Sequence, residues 1–321
     1  IHRSVTSESN IARGALVIEA PLPSDTRAAT LLEITSLHPK HALMRIQSIP
    51  GEGFSVLISS GDQVFHALVS HTLQARTDDF RLTLNWDSES GDGLLSIEHP
   101  GDDALFTREL AGCIPMPGAL IHGALSEMRD PDVSRKLSYI GFHKGPLSIG
   151  PTPTLDYHTP VLTPQGYRKI GTMQPGDTVV SASGDIVPVL GVFKKITPAF
   201  GSNAPVRLRA PYYGLRRDIV VAPHQRLVIS GSQVEYLFGR EAVLVPAHHL
   251  INGVSALHAT GPDFVTYHHL LLPGHEVIDA AGCPVESLYI GRIRRKPKQL
   301  TASLLAPFNR THLPEHAQPV W

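Results

Sequence analysis

Residues 159–166 read Thr159-Pro160-Val161-Leu162-Thr163-Pro164-Gln165-Gly166, and a second block reads Met173-Gln174-Pro175-Gly176-Asp177-Thr178-Val179-Val180. Gly184-Asp185-Ile186-Val187-Pro188-Val189 follows at once. In each block a short β-branched run is broken by a Pro/Gly turn, and Pro175-Gly176-Asp177 supplies a turn ahead of the Val179-Val180 pair. The pattern predicts strand, tight turn, strand. Further on come Asp218-Ile219-Val220-Val221-Ala222-Pro223-His224-Gln225-Arg226-Leu227 and Glu241-Ala242-Val243-Leu244-Val245-Pro246-Ala247-His248-His249-Leu250. Tyr267-His268-His269-Leu270-Leu271-Leu272-Pro273-Gly274-His275-Glu276-Val277-Ile278 closes the series. Stretches this short and apolar, bounded by turn residues, read as strands of a β domain over 154–291.

Ahead of that block, residues 13–125 repeat a period of two. Leu16 and Ile18, Leu32 and Ile34, Phe54 with Val56 and Ile58, Phe65 with Ala67 and Val69, and Leu82 with Leu84 and Trp86 alternate with small or polar neighbours. Turns separate them at Pro50-Gly51-Glu52-Gly53, Gly61-Asp62, Asp87 to Gly93 and Pro100-Gly101-Asp102. Strands with one buried face predict an antiparallel sandwich. Alternation lapses over 126–153, where Ser126–Leu137 has the composition of a short helix and Gly145-Pro146, Gly150-Pro151 and Pro153 stiffen the chain. The organisation expected is therefore a tail over 1–12, a sandwich over 13–125, a linker over 126–153, a second β domain over 154–291, and a basic, polar and solvated tail over 292–321.

Composition agrees. A chain of 321 residues exceeds what one core usually serves, and Gly 27 with Pro 27 predicts many turns. Lys plus Arg is 28 against 29 for Asp plus Glu, so the net charge of −1 argues against a nucleic-acid partner. The run Arg292–Lys298 is too short to change that. Cys113 and Cys283 stand alone with no CxxC spacing, which supports neither a disulfide framework nor a zinc ribbon. No apolar run reaches the roughly 18 residues of a membrane span, and Ile1-His2-Arg3-Ser4 opens no signal peptide. These features leave the compartment unknown, the cytoplasm or leaderless secretion fitting the chain as given, with no membrane partner expected; Ile1 is not an initiator, so the chain reads as trimmed and a removed leader stays open.

In their order and spacing the segments of residues 154–291 resemble the Hint domain, the Hedgehog and intein fold, in its bacterial Hint-type branch. The resemblance implies a flat, all-β, pseudo-two-fold domain whose first residue is drawn into the centre. The preceding domain resembles, through its strand pattern and Arg81-Leu82-Thr83-Leu84-Asn85-Trp86-Asp87, a laminin-G or concanavalin-A-like sandwich. The fold class expected is all-β, an N-terminal β-sandwich followed by a Hint-type β domain.

The resemblance also implies a chemistry. An active Hint domain starts with Cys or Ser, which attacks the carbonyl just before it to give a thioester or ester. A histidine from a Thr-x-x-His or Ser-x-x-His box protonates the departing amide nitrogen. Counting back from Thr159–Pro164, the nucleophile position falls on Thr154, a hydroxyl that needs an activating base, and the bond at stake is Pro153–Thr154. Where the family carries Ser-Pro-x-His-Arg, this chain has Ala222-Pro223-His224-Gln225-Arg226, so Gln225 stands at the histidine position and His224 one place earlier. In a strand, that offset turns the side chain to the opposite face. Two readings follow, and whether the chain is an enzyme turns on them. In the first, the autoprocessing site is degenerate and the domain is a rigid binding or presentation module beside a sandwich that binds a glycan or protein ligand. In the second, Thr154 is a live nucleophile with His224 or His269 as acid–base, and the domain cleaves itself.

A third class, a histidine-rich metal-dependent hydrolase, has no motif behind it. His248-His249 and His268-His269 are adjacent pairs, which divide between two faces of a strand, and no Hx3H spacing joins them. Gly61-Asp62 and Gly91-Asp92-Gly93 are ordinary turn chemistry, since calcium wants six to eight oxygens. No metal and no cofactor is expected.

Overall fold

The computed structural model describes residues 6–23, 27–71, 79–101, 104–128 and 137–316. The chain forms two compact units, 1–149 and 150–321.

The first unit is a β-sandwich. Its strands are β1 (Asn10–Ile11), β2 (Arg13–Pro21), β3 (Ala29–Ser36), β4 (Ala42–Ile49), β5 (Gly53–Ser60), β6 (Gln63–Val69), β7 (Asp79–Asp87), β8 (Asp92–Glu98), β9 (Leu105–Ala111), β10 (Met116–Pro117) and β11 (Tyr139–His143). A five-stranded sheet in the order β11-β2-β7-β8-β9 faces a four-stranded sheet in the order β3-β4-β5-β6. The alternating residues supply one shared core: Leu16, Ile18, Leu82, Leu84 and Ile97 from the first sheet, and Ile34, Met44, Ile46, Phe54 and Val56 from the second. Gly14 stands across from Trp86 in the β2–β7 ladder, and a Cβ there would come within 2.8 Å of the indole. Only glycine lets that ring lie flat against the strand. Helix α1 (Gly118–Glu127) adds Leu120, Ile121 and Ala124 to the core.

Three expectations change. The helix sits at 118–127, across the end of the stretch read as strands, because Ala119-Leu120-Ile121 and Ala124-Leu125 put apolar residues at helical spacing. Residues 129–136 of the helix expected over 126–137 lie outside the described residues, as does Asp102. The stretch 126–153 is not a free linker: Tyr139–His143 pairs with β2 along its length, from Tyr139 opposite Glu19 to His143 opposite Ala15. At the other end, Asn10 and Ile11 of the expected tail pair with Pro117 and Met116.

The second unit holds β12 (Leu155–Asp156), β13 (Pro160–Thr163), β14 (Gly166–Lys169), β15 (Thr178–Val180), β16 (Ile186–Pro188), β17 (Gly191–Pro198), β18 (Val206–Leu208), β19 (Ile219–Val221), β20 (Arg226–Ser230), helix α2 (Ser232–Phe238), β21 (Ala242–Pro246), β22 (Ala256–His258), β23 (Phe264–Leu271), β24 (Val277–Ala280), β25 (Cys283–Glu286) and helix α3 (Pro297–Thr301). Two six-stranded sheets run β17-β23-β12-β19-β18-β22 and β14-β13-β24-β25-β20-β21. Between them Leu155, Val161, Val179, Val221, Leu227, Leu270, Ile278 and Val285 form the core. The expected turn is present, with Asp177 N donating to Gln174 O at 3.1 Å and Gly176 at φ 93°.

The C-terminal stretch also differs from a solvated tail. Leu300, Leu305 and Leu313 are buried with Phe193, Leu271, Leu288 and Ile290 in a second, smaller core. The basic run is neutralised in part, since Arg294 and Arg295 both reach Glu315. Leucines this far apart in sequence carry no periodic signal, so their burial is invisible until the chain returns.

Candidate active site

Strand β12 is short, but its place in the sheet is central. Leu155 pairs with Val221 of β19 on one side and with His268 of β23 on the other. One step back along these ladders, Thr154 lies beside Ala222 and His269. The first of these neighbours is tied by a bond from Ala222 N to Thr154 O of 2.6 Å. Pro153 is buried and Thr154 half-buried.

The helper segment has left the strand. Gln225 N donates to Ala222 O at 3.0 Å, which folds 222–225 into a turn ahead of β20. The face rule for a strand therefore does not govern His224. Its ring instead meets His248 edge-on, 5.7 Å between centroids. Gln225 is the residue turned to the nucleophile position: the Thr154 hydroxyl donates to Gln225 Oε1 at 2.5 Å. Gln225 is fully buried, and its amide nitrogen donates to the carbonyls of Arg226 at 2.9 Å and Glu286 at 3.3 Å. With both N–H groups committed to carbonyls, the amide oxygen has one orientation left, toward Thr154.

An alcohol becomes a nucleophile when a base takes its proton, and a carboxamide oxygen has no useful basicity. The bond from Thr154 holds the hydroxyl still without activating it. His269, on the next strand, is 3% exposed and its Nδ1 is sealed from water without a hydrogen-bond partner. Burial, aided by His275 and His268 and opposed by Glu286, pushes the imidazole down to about 4. At pH 7 such a ring is protonated to about one part in a thousand, so it is a poor acid for a departing amide.

Behind these residues lies a charged cluster that sequence reasoning missed. Glu286 accepts from Arg226 Nε at 2.7 Å and pairs with His275 Nε2 at 3.0 Å. Burial alone would raise the carboxyl, but the bonds from His275 and Arg226 outweigh it and hold the group below the usual carboxylate range. The only hint in sequence was His275-Glu276 inside an otherwise apolar run. Neither cysteine substitutes for Thr154. Cys283 is fully buried and burial pushes its thiol up to about 12, while Cys113 belongs to the sandwich core. The structure thus brings Thr154, His269 and Gln225 to one place and carries His224 to His248. Among the described residues no three His, Cys, Asp or Glu side chains converge as a metal-ligating set. No helix among them is long and apolar enough to cross a membrane.

Residues 153–292 match the family model described as the Hint domain. Solved structures similar to the chain include the MchDnaB-1 intein, at 15% identity over 41% of this chain and 98% of that one, TM-score 0.29. A bacterial intein-like domain from Clostridium thermocellum is similar at 12% identity over 42% of this chain and 99% of that one, TM-score 0.32. The CBM40 of a Ruminococcus gnavus IT-sialidase bound to alpha2,3 sialyllactose is similar at 11% identity over 35% and 60%, TM-score 0.26. A search of curated proteins finds no match.

Proposed function

We propose that the second unit is a Hint domain that does not cleave its own chain, and that it serves as a rigid binding or presentation module beside a sandwich whose ligand is a glycan or a protein. The observation that carries this reading is the 2.5 Å bond from the Thr154 hydroxyl to the Gln225 amide oxygen. It puts a neutral, non-basic group where self-cleavage calls for a base or acid. The depressed basicity of His269 adds to it.

One observation favours the second reading, self-cleavage at Pro153–Thr154: His269 stands one strand over from Thr154 with its Nδ1 unpartnered. Intact-mass measurement separates the two. The full chain, 34.8 kDa, is incubated alone, with excess thiol and with hydroxylamine, which intercept thioesters and activated esters. A single undivided species throughout is expected. Fragments joining at Pro153 and Thr154, abolished by Thr154→Ala, would overturn the proposal. Selective binding by the full chain on a glycan array, lost on removing sandwich side chains alone, supports a glycan ligand; a blank array moves the search to proteins.

A further inference from the structure

Residues 293–316 lie beyond the stretch that matches the Hint family, 153–292, yet they are folded onto it. In the β17–β23 ladder Phe193 stands opposite His269 and Gly191 opposite Leu271. Residues two apart on a strand share a face, so Phe193, His269, Gly191 and Leu271 look the same way. Thr154, one residue ahead of β12, continues that register opposite His269 and so falls on the same face. The C-terminal segment covers its Phe193 end. Leu300, Leu305 and Leu313 pack on Phe193 and Leu271. Phe308 lies so close to Gly191 that a Cβ there would come within 2.6 Å of the ring.

The end of the segment is latched at two points. Glu315 takes Arg294 Nε at 2.5 Å and Arg295 Nη2 at 2.6 Å, which ties the segment's last residues to its first. His316, 2% exposed, accepts from Ile290 N at 3.3 Å and donates from Nε2 to Leu272 O at 3.2 Å. That fixes a neutral tautomer. Its ring stacks on His275, 5.9 Å between centroids and 21° between planes, and His275 is the residue paired with Glu286. A second, independent observation lies beneath: His269 Nδ1 is buried with no hydrogen-bond partner. Sealed polar atoms of this kind are rare in finished cores.

We propose that residues 293–316 are a strap that shuts the His269 face of the second unit and holds His275 against Glu286, so that the histidines of this face open to solvent only when the strap lifts. The strap requires no cleavage chemistry and stands whether or not Thr154 is reactive.

The test uses the full chain and carbethoxylation of histidines by diethyl pyrocarbonate, read residue by residue by tandem mass spectrometry. In the parent protein His269, His275 and His316 are expected to label at least about tenfold more slowly than the exposed His158 and His258. Leu313→Asp should raise all three rates at least about tenfold while buried Cys283 stays closed to alkylation. Labelling of His316 with unchanged rates at His269 and His275 would overturn the proposal. So would a parent protein in which His269 labels as fast as His158. If Cys283 opens in Leu313→Asp, the domain has unfolded, and the pair Glu315→Ala with His316→Ala is read instead. There, faster tryptic cutting after Lys298 must be accompanied by faster labelling of His269 and His275; cutting without labelling, or no faster cutting, refutes the strap.

Discussion

Acidification offers the sharpest test of the site as described. His269 titrates at about 4 in the folded protein, chiefly because burial penalises its charged form, against about 6.5 in an unfolded chain. Its folded pKa is lowered, so between those two values the unfolded state binds the proton and the folded state does not. Stability then falls as pH drops from 6.5 toward 4, and nothing is lost above 6.5. At about 1.4 kcal/mol per pH unit, the deficit is about 2 kcal/mol at pH 5 and about 3 kcal/mol when both states have titrated. Glu286 acts with the same sign but below its ordinary value of 4.5, so a comparison of pH 7.5 with pH 5 isolates histidine. His316, also pushed down to about 4 by burial, contributes in the same window. It is present in both proteins when wild type is compared with His269→Gln, and it cancels.

The assay is hydrogen exchange of peptides covering Phe264–Leu271 against denaturant at the two pH values. Those peptides report the second unit, whereas fluorescence from Trp86 reports the sandwich. Wild type should lose about 2 kcal/mol more than His269→Gln on going to pH 5. Equal losses would refute the desolvation of His269, and with it the claim that this ring is neutral at pH 7 and so rarely holds a proton to give.

The other predictions follow from single contacts. Gln225→Ala should cost the second unit about 2–4 kcal/mol in denaturant unfolding, because it leaves the Glu286 carbonyl and the Thr154 hydroxyl without their partner in a buried place. Thr154→Cys with Gln225→His should turn the domain into one that cleaves. The thiolate sulfur attacks the Pro153 carbonyl carbon, the bond to nitrogen breaks, and the nitrogen leaves as an amine with a proton from the imidazole introduced by the second substitution. Hydroxylamine then releases the two pieces, which mass spectrometry detects; Thr154→Cys alone should stay mostly whole, and equal cleavage of the two would remove Gln225 from the account. Met44→Ala should destabilise the sandwich by about 2–5 kcal/mol. Calorimetry should show the transition of the second unit unmoved, as two separate cores require.

Much of this protein is written locally. Alternation along 13–125 is enough for a sandwich because one face of each strand must be dry, and the ordered Pro/Gly turns and Val runs of 154–291 carry the Hint resemblance. The two departures, Thr154 and Gln225, are also plain in the sequence. What they do is not. That Gln225 and not His224 meets Thr154 depends on the turn at 222–225, which forms because Ala222 is bound to Thr154 across a sheet assembled from segments some seventy residues apart. The low basicity of His269 depends on burial by other segments. The tail becomes a strap only because Leu300, Leu305 and Leu313 find Phe193 and Leu271. Periodicity and turn chemistry act between neighbours, so the sequence alone determines them. Desolvation, register across a sheet and the partner of a hydroxyl act between distant segments, and those only the tertiary structure decides.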